Sequence, residues 1–122
     1  AARMDPLASA LRRGIRFGMH SDSPVTHISP LLSIGTAVSR LTSGGEVLGI
    51  EQAITVEQAL RSMTLDSAYL AFEENRKGTL TEGKLGDITV LEADPHEVAS
   101  HEIKDIPVAA TIVGGEVEFG AE

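Results

Sequence analysis

The stretch Phe17-Gly18-Met19-His20-Ser21-Asp22-Ser23-Pro24-Val25 decides the fold class. Ile15 to Met19 is a short, mostly apolar run between Gly14 and the polar cluster His20-Ser21-Asp22-Ser23-Pro24, a pattern that suits a buried strand running into a loop. Alternate residues of a strand share a face, so Gly18, His20 and, if the strand continues, Asp22 point the same way. A histidine and a carboxylate then meet at the carboxyl end of a strand, where parallel α/β architectures collect ligands and catalytic groups.

On both sides of this stretch the apolar spacing is helical. Upstream, Asp5-Pro6 reads as an N-cap followed by proline at the first helical position. Leu7, Ala10 and Leu11 fall on one face, and Gly14 sits where a helix end takes a left-handed residue. Downstream, Ser29-Pro30 caps and opens a second helix with Ile34, Ala37, Val38 and Leu41 at helical spacing, and Gly44-Gly45 follows its end. Thr55 and Gln58 form a capping-box pattern ahead of the stripe Val56, Ala59, Leu60 and Met63. Thr64 interrupts that stripe, and Leu65, Ala68, Tyr69 and Phe72 continue as another.

Near Gly78 the pattern changes to strand-like alternation, which places a boundary between residues 1–77 and 78–122. Thr79-Leu80-Thr81, the turn Glu82-Gly83-Lys84 and Asp87 to Leu91 read as β structure up to Asp94-Pro95. Val108 to Val113, Gly114-Gly115 and Glu116 to Phe119 read as a hairpin. Two or three strands do not hold together alone in water, so they pack on the helices or join strands from elsewhere.

Composition removes several function classes. The chain has 122 residues, 10 Lys plus Arg against 18 Asp plus Glu and a net charge of −8, so a broad electrostatic grip on nucleic acid or an anionic membrane has no support. Cysteine is absent, which excludes disulfides, thiolate metal sites and a cysteine nucleophile. No apolar run approaches the roughly 20 residues of a membrane helix, and the expectation is a soluble, cytoplasmic protein. The core must be aliphatic, because aromatic residues are only 3%.

Asp22 is the leading candidate for catalysis or metal binding, against an Asx-turn or helix-capping role. Imidazole and carboxylate both suit zinc, but a catalytic zinc site takes three protein ligands and this segment offers two. For His20 the residues alone favour a hydrogen-bonded core histidine. His27 lies on a loop that could reach the same mouth, and His96 and His101 have no partner spacing that suggests a site. Ser21 and Ser23 lack a nucleophile elbow, and the paired glycines lack the context of a phosphate loop.

The order of Gly14-Ile15-Arg16-Phe17-Gly18, Ser21-Asp22-Ser23-Pro24-Val25, Pro30, Ala37-Val38-Ser39-Arg40, Leu48-Gly49, Ile54 to Leu60, Gly78-Thr79-Leu80, Gly83-Lys84-Leu85-Gly86-Asp87-Ile88 and Asp94-Pro95 resembles the C-terminal part of the amidohydrolase superfamily. More narrowly, it is similar to the YtcJ-like branch, which includes N-substituted formamide deformylases. The resemblance implies an α/β fold: the last strand and helices of a (β/α)8 metallo-hydrolase barrel, then C-terminal strands of a small β-sandwich.

It also implies a divalent metal, zinc, and a small amide-type substrate. Asp22 matches the family carboxylate that contacts the metal and acts as general base. His20 stands where family members commonly carry a small residue; no family role carries over, and it is a candidate for lining the substrate pocket. The superfamily's His-x-His pair, its bridging Lys or Glu and its two later histidines do not occur in these residues. The expectation is therefore a piece of a longer hydrolase, inactive alone, whose partner is the remaining barrel and whose open strand edges favour self-association. The competing reading is a non-catalytic acidic α+β module for interaction or dimerisation.

Overall fold

The structure is a computed structural model and describes residues 4–120. The order of elements is α1 (Leu7–Arg12), α2 (Pro30–Ser39), α3 (Val56–Arg61), α4 (Ser67–Leu70), β1 (Ile88–Leu91), β2 (Val108–Val113) and β3 (Glu116–Gly120). Short 3₁₀ turns at Ile50–Gln52 and Ile103–Asp105 join them. This is a mixed α/β arrangement with one small antiparallel sheet in the order β1-β2-β3.

The cap residues explain where the longer helices begin. Ser29 Oγ accepts the Leu32 N–H at 3.2 Å and Pro30 fills the first turn, where no amide donor is needed. Thr55 and Gln58 complete the capping box, with the Gln58 N–H donating to Thr55 Oγ1 at 3.2 Å and the Thr55 N–H to Gln58 Oε1 at 3.0 Å. At the end of α1, Gly14 is left-handed, and the amides of Gly14 and Ile15 close back on the carbonyls of Leu11 and Ala10. The start of α1 departs from expectation. Pro6 takes the cap position, and no side chain caps the helix; Asp5 instead adopts a positive φ and its carbonyl accepts the Leu7 N–H.

Three further departures share one physical theme, that local pattern does not supply a partner. Residues 15–20 form no strand, because no other strand lies beside them to complete a ladder among the described residues. Thr79-Leu80-Thr81 is likewise not a strand, and Leu80 is exposed. The helix through α3 does not break at Thr64: it widens into a π turn over Ser62–Asp66 and continues as α4. It ends at Leu70, so Phe72 falls outside the stripe, at positive φ and exposed.

The sheet follows the expected hairpin. β2 and β3 pair Val113 with Glu116 across the two-residue turn Gly114-Gly115, whose φ angles of 60° and 91° suit the right-handed twist of a tight hairpin. β1 pairs with β2 through Ile88↔Ile112 and Thr89↔Thr111. The core consists of Ile34, Ala37, Ile54, Ala59, Ile103 and Ile106, with Phe17, Met19 and Leu91 half-buried against it. It is aliphatic, as the composition requires, and draws residues from both sides of Gly78.

No helix among the described residues is long and apolar enough to cross a membrane.

Candidate functional site

The segment that carries Asp22 is laid over the helices at three points. Phe17 and Met19 pack on the core. Gly18 lies against Ser67, so close that a Cβ there would come within 2.9 Å of Ser67 Oγ. Arg16 reaches across to the π turn, with its Nε 3.8 Å from Asp66 Oδ1 and its guanidinium 4.2 Å from the centre of the Tyr69 ring.

Beyond these anchors the chain turns. Asp22 is at positive φ, and its carbonyl accepts the Val25 N–H at 2.9 Å across the cis Ser23–Pro24 bond. Asp22 thus opens a turn and does not extend a strand. His20 and Asp22 still lie together, through a contact that alternation does not foresee: the Asp22 backbone N–H donates to His20 Nδ1 at 3.0 Å. His20 is exposed, so it is not the core histidine favoured from the residues alone.

Both residues line a cleft of about 390 Å³. Its other walls include Met19 and Met63, Ile28, the flanking Ser21 and Ser23, and the hydroxyl-bearing Ser29 and Ser33 at the start of α2. Ser29 was legible as a cap; Ser33, four residues on and so on the same helix face, could have been placed beside it by spacing. The Asp22 carboxylate is exposed and makes no hydrogen bond or ion pair among the described residues. It is a free acceptor at the cleft.

The other candidates separate from this cleft. His27 borders a broader, mostly apolar groove of about 950 Å³ between the helices and β1. His96 is tied to Asp94, whose Oδ1 accepts the His96 N–H at 2.8 Å and lies 2.9 Å from Nδ1, with Glu57 Oε2 3.7 Å from Nε2. The His96 N–H and then its ring hold the Asp94 carboxyl below its ordinary range. His101 is exposed and joins neither cleft nor groove.

A metal ion needs more than this chain brings together. Among the described residues no three His, Asp or Glu side chains cluster as a ligand set. At the cleft His20 Nδ1 is taken by the Asp22 N–H, which leaves the ring proton on Nε2 and no nitrogen lone pair for a metal, so Asp22 alone offers a donor, its carboxylate. One donor falls short of a catalytic zinc centre, so the residues present do not by themselves fit the ion.

Comparison with known proteins decides the family. Residues 1–119 match the model of the amidohydrolase family. The chain belongs to the amidohydrolase family. It is 32% identical over 117 residues to the N-substituted formamide deformylase of Arthrobacter pascens, covering 96% of this chain and 22% of that one. It is 28% identical over 112 residues to the amidohydrolase YtcJ of Bacillus subtilis (strain 168), covering 89% of this chain and 21% of that one. An amidohydrolase from Thermotoga maritima MSB8 superposes with a TM-score of 0.72 at 19% identity, over 96% of this chain and 26% of that one. The fold is thus that of the matching part of an amidohydrolase, and the chain spans about a fifth of the length of the curated relatives it matches.

Proposed function

We propose that this amidohydrolase chain is the C-terminal portion of a metal-dependent hydrolase of non-peptide carbon–nitrogen bonds, and that Asp22 is its catalytic carboxylate. One observation carries the reading. Within a chain that matches the family over residues 1–119, the Asp22 carboxylate stands at a cleft lined by hydroxyls and thioethers, with no partner among the described residues. A carboxylate so placed can accept a proton from an attacking water and return it to the departing nitrogen.

In this reading residues 1–77 contribute the last strand and following helices of a (β/α)8 barrel, and residues 78–122 contribute strands of a β-sandwich. Residues outside this chain complete the centre for a divalent metal, zinc, to which Asp22 is the chain's ligand. The substrate is a small amide, and a formamide is the first class to try, given the name of the Arthrobacter pascens relative. The protein works in the cytoplasm. The chain alone is inactive, and its uncovered sheet edges favour self-association.

The test is Asp22→Asn in the longer hydrolase, assayed by amine release from an N-alkylformamide. Loss of a general base lowers kcat by about 10²–10⁴, with the circular dichroism spectrum unchanged. Unaltered kcat in a folded Asp22→Asn protein would remove Asp22 from the reaction.

A further inference from the structure

The role given to Asp22 leaves its neighbour in the cleft unexplained. His20 Nδ1 accepts the Asp22 N–H at 3.0 Å. A ring nitrogen that accepts a hydrogen bond carries no proton, so the neutral imidazole holds its proton on Nε2. Nε2 has no partner among the described residues, and the ring lines the cleft. The backbone that places Asp22 therefore also selects the tautomer of His20 and leaves one N–H donor available to whatever enters.

The rest of the wall limits what that is. Met19, Ile28 and Met63 present thioether and aliphatic surface, Ser21 and Ser23 flank Asp22 with hydroxyls, and Ser29 Oγ is already engaged with the Leu32 N–H while Ser33 Oγ lies 3.5 Å from the Ser29 carbonyl. A ligand that suits this cleft has a hydrogen-bond acceptor for the ring and an apolar body for the methionines, within about 390 Å³.

We infer that His20 is a substrate-binding residue whose Nε2–H donates to the carbonyl oxygen of a small amide carrying an apolar N-substituent. This deepens the function proposed above and rests on it. The donor is fixed before the substrate arrives, so its contribution goes to binding and orientation.

Two measurements test it. On this chain with ¹⁵N-labelled histidine, long-range ring correlation spectra are recorded with the ring neutral. The expected pattern has Nδ1 unprotonated and Nε2 protonated; a protonated Nδ1 overturns the inference, whatever the enzyme does.

In the longer hydrolase, with an N-alkylformamide as probe, His20→Ala raises KM by about tenfold with kcat changed less than about threefold, the scale of one lost hydrogen bond. His20→Gln, whose amide nitrogen reaches the position of Nε2, recovers most of that loss, whereas His20→Asn, whose nitrogen falls at Nδ1, does not. An unchanged KM in His20→Ala, or equal losses in Gln and Asn, overturns the inference. Failure of Asp22→Asn to lower kcat while these His20 effects persist would instead strike the role given to Asp22.

Discussion

Asp66 shows most sharply what one residue costs in this fold. It is 3% exposed, and its Oδ1 makes no hydrogen bond among the described residues. Its compensation is electrostatic, from Arg61 Nε at 3.5 Å and Arg16 Nε at 3.8 Å, two side chains that are themselves half-exposed. A buried carboxylate without countercharge is among the most destabilising features a small domain can carry. Arg16→Met with Arg61→Met keeps the aliphatic stems, strands the charge and is expected to cost about 3 kcal/mol in denaturant unfolding. Adding Asp66→Asn should restore most of it, since the charge that needed a partner is gone. A double arginine variant as stable as the parent would mean that water already reaches the carboxylate. None of this was legible in the sequence. Asp66 and Arg16 are fifty residues apart, and a lone aspartate after an apparent break at Thr64 reads as surface.

Element boundaries were legible where the signal is local. The capping box at α3 lies within four residues, so Thr55 and Gln58 announced it and the structure makes both of its bonds. Thr55→Ala is expected to lower stability by about 1 kcal/mol, seen as a lower urea midpoint with an unchanged slope. Ends fixed from a distance stayed hidden. Helix α2 stops at Ser39, well before the glycine pair, because Arg40 turns left-handed and aims its guanidinium at the carbonyls of Leu48, Asp5 and Met4. The run at Ile15–Met19 has a strand's composition, yet no neighbour completes a ladder with it among the described residues. The Asp94–His96 turn is local again and sets a pH dependence. Its carboxyl is held below the ordinary 3.8, chiefly by the His96 backbone N–H. A lowered folded value means that the stabilisation is complete above that ordinary value and lost as pH falls through the depressed one. Asp94→Asn should therefore flatten the acid limb of the stability curve below about pH 4, by lowering stability at neutral pH while leaving the acid end unchanged. An acid limb identical in both proteins would show that the turn is open in solution.

At the scale of the whole molecule the question is whether the helices and the sheet unfold together. The change of pattern near Gly78 divides the sequence, but the core does not follow that line. Ile103 is 0% exposed and clusters with Ile34, Ala37, Ile54 and Ala59, all upstream of Gly78. Gly35 on α2 lets the Ser100–Lys104 backbone approach closely, with Ser100 O only 3.4 Å from where a Cβ would stand. The 3₁₀ turn Ile103–Asp105 is thus the wedge that joins the segment between β1 and β2 to the helices. Ile103→Ala removes three carbons from the centre of this joint, and the surrounding aliphatics can collapse only in part. The expected cost is about 3–4 kcal/mol, a large share of the stability of a domain this size. If the joint couples the two halves, far-UV signals from helix and sheet shift to lower denaturant together, with one transition before and after the substitution. Two transitions of which only one moves would show that residues on either side of Gly78 form separate cooperative units, with Ile103 belonging to the one that shifted.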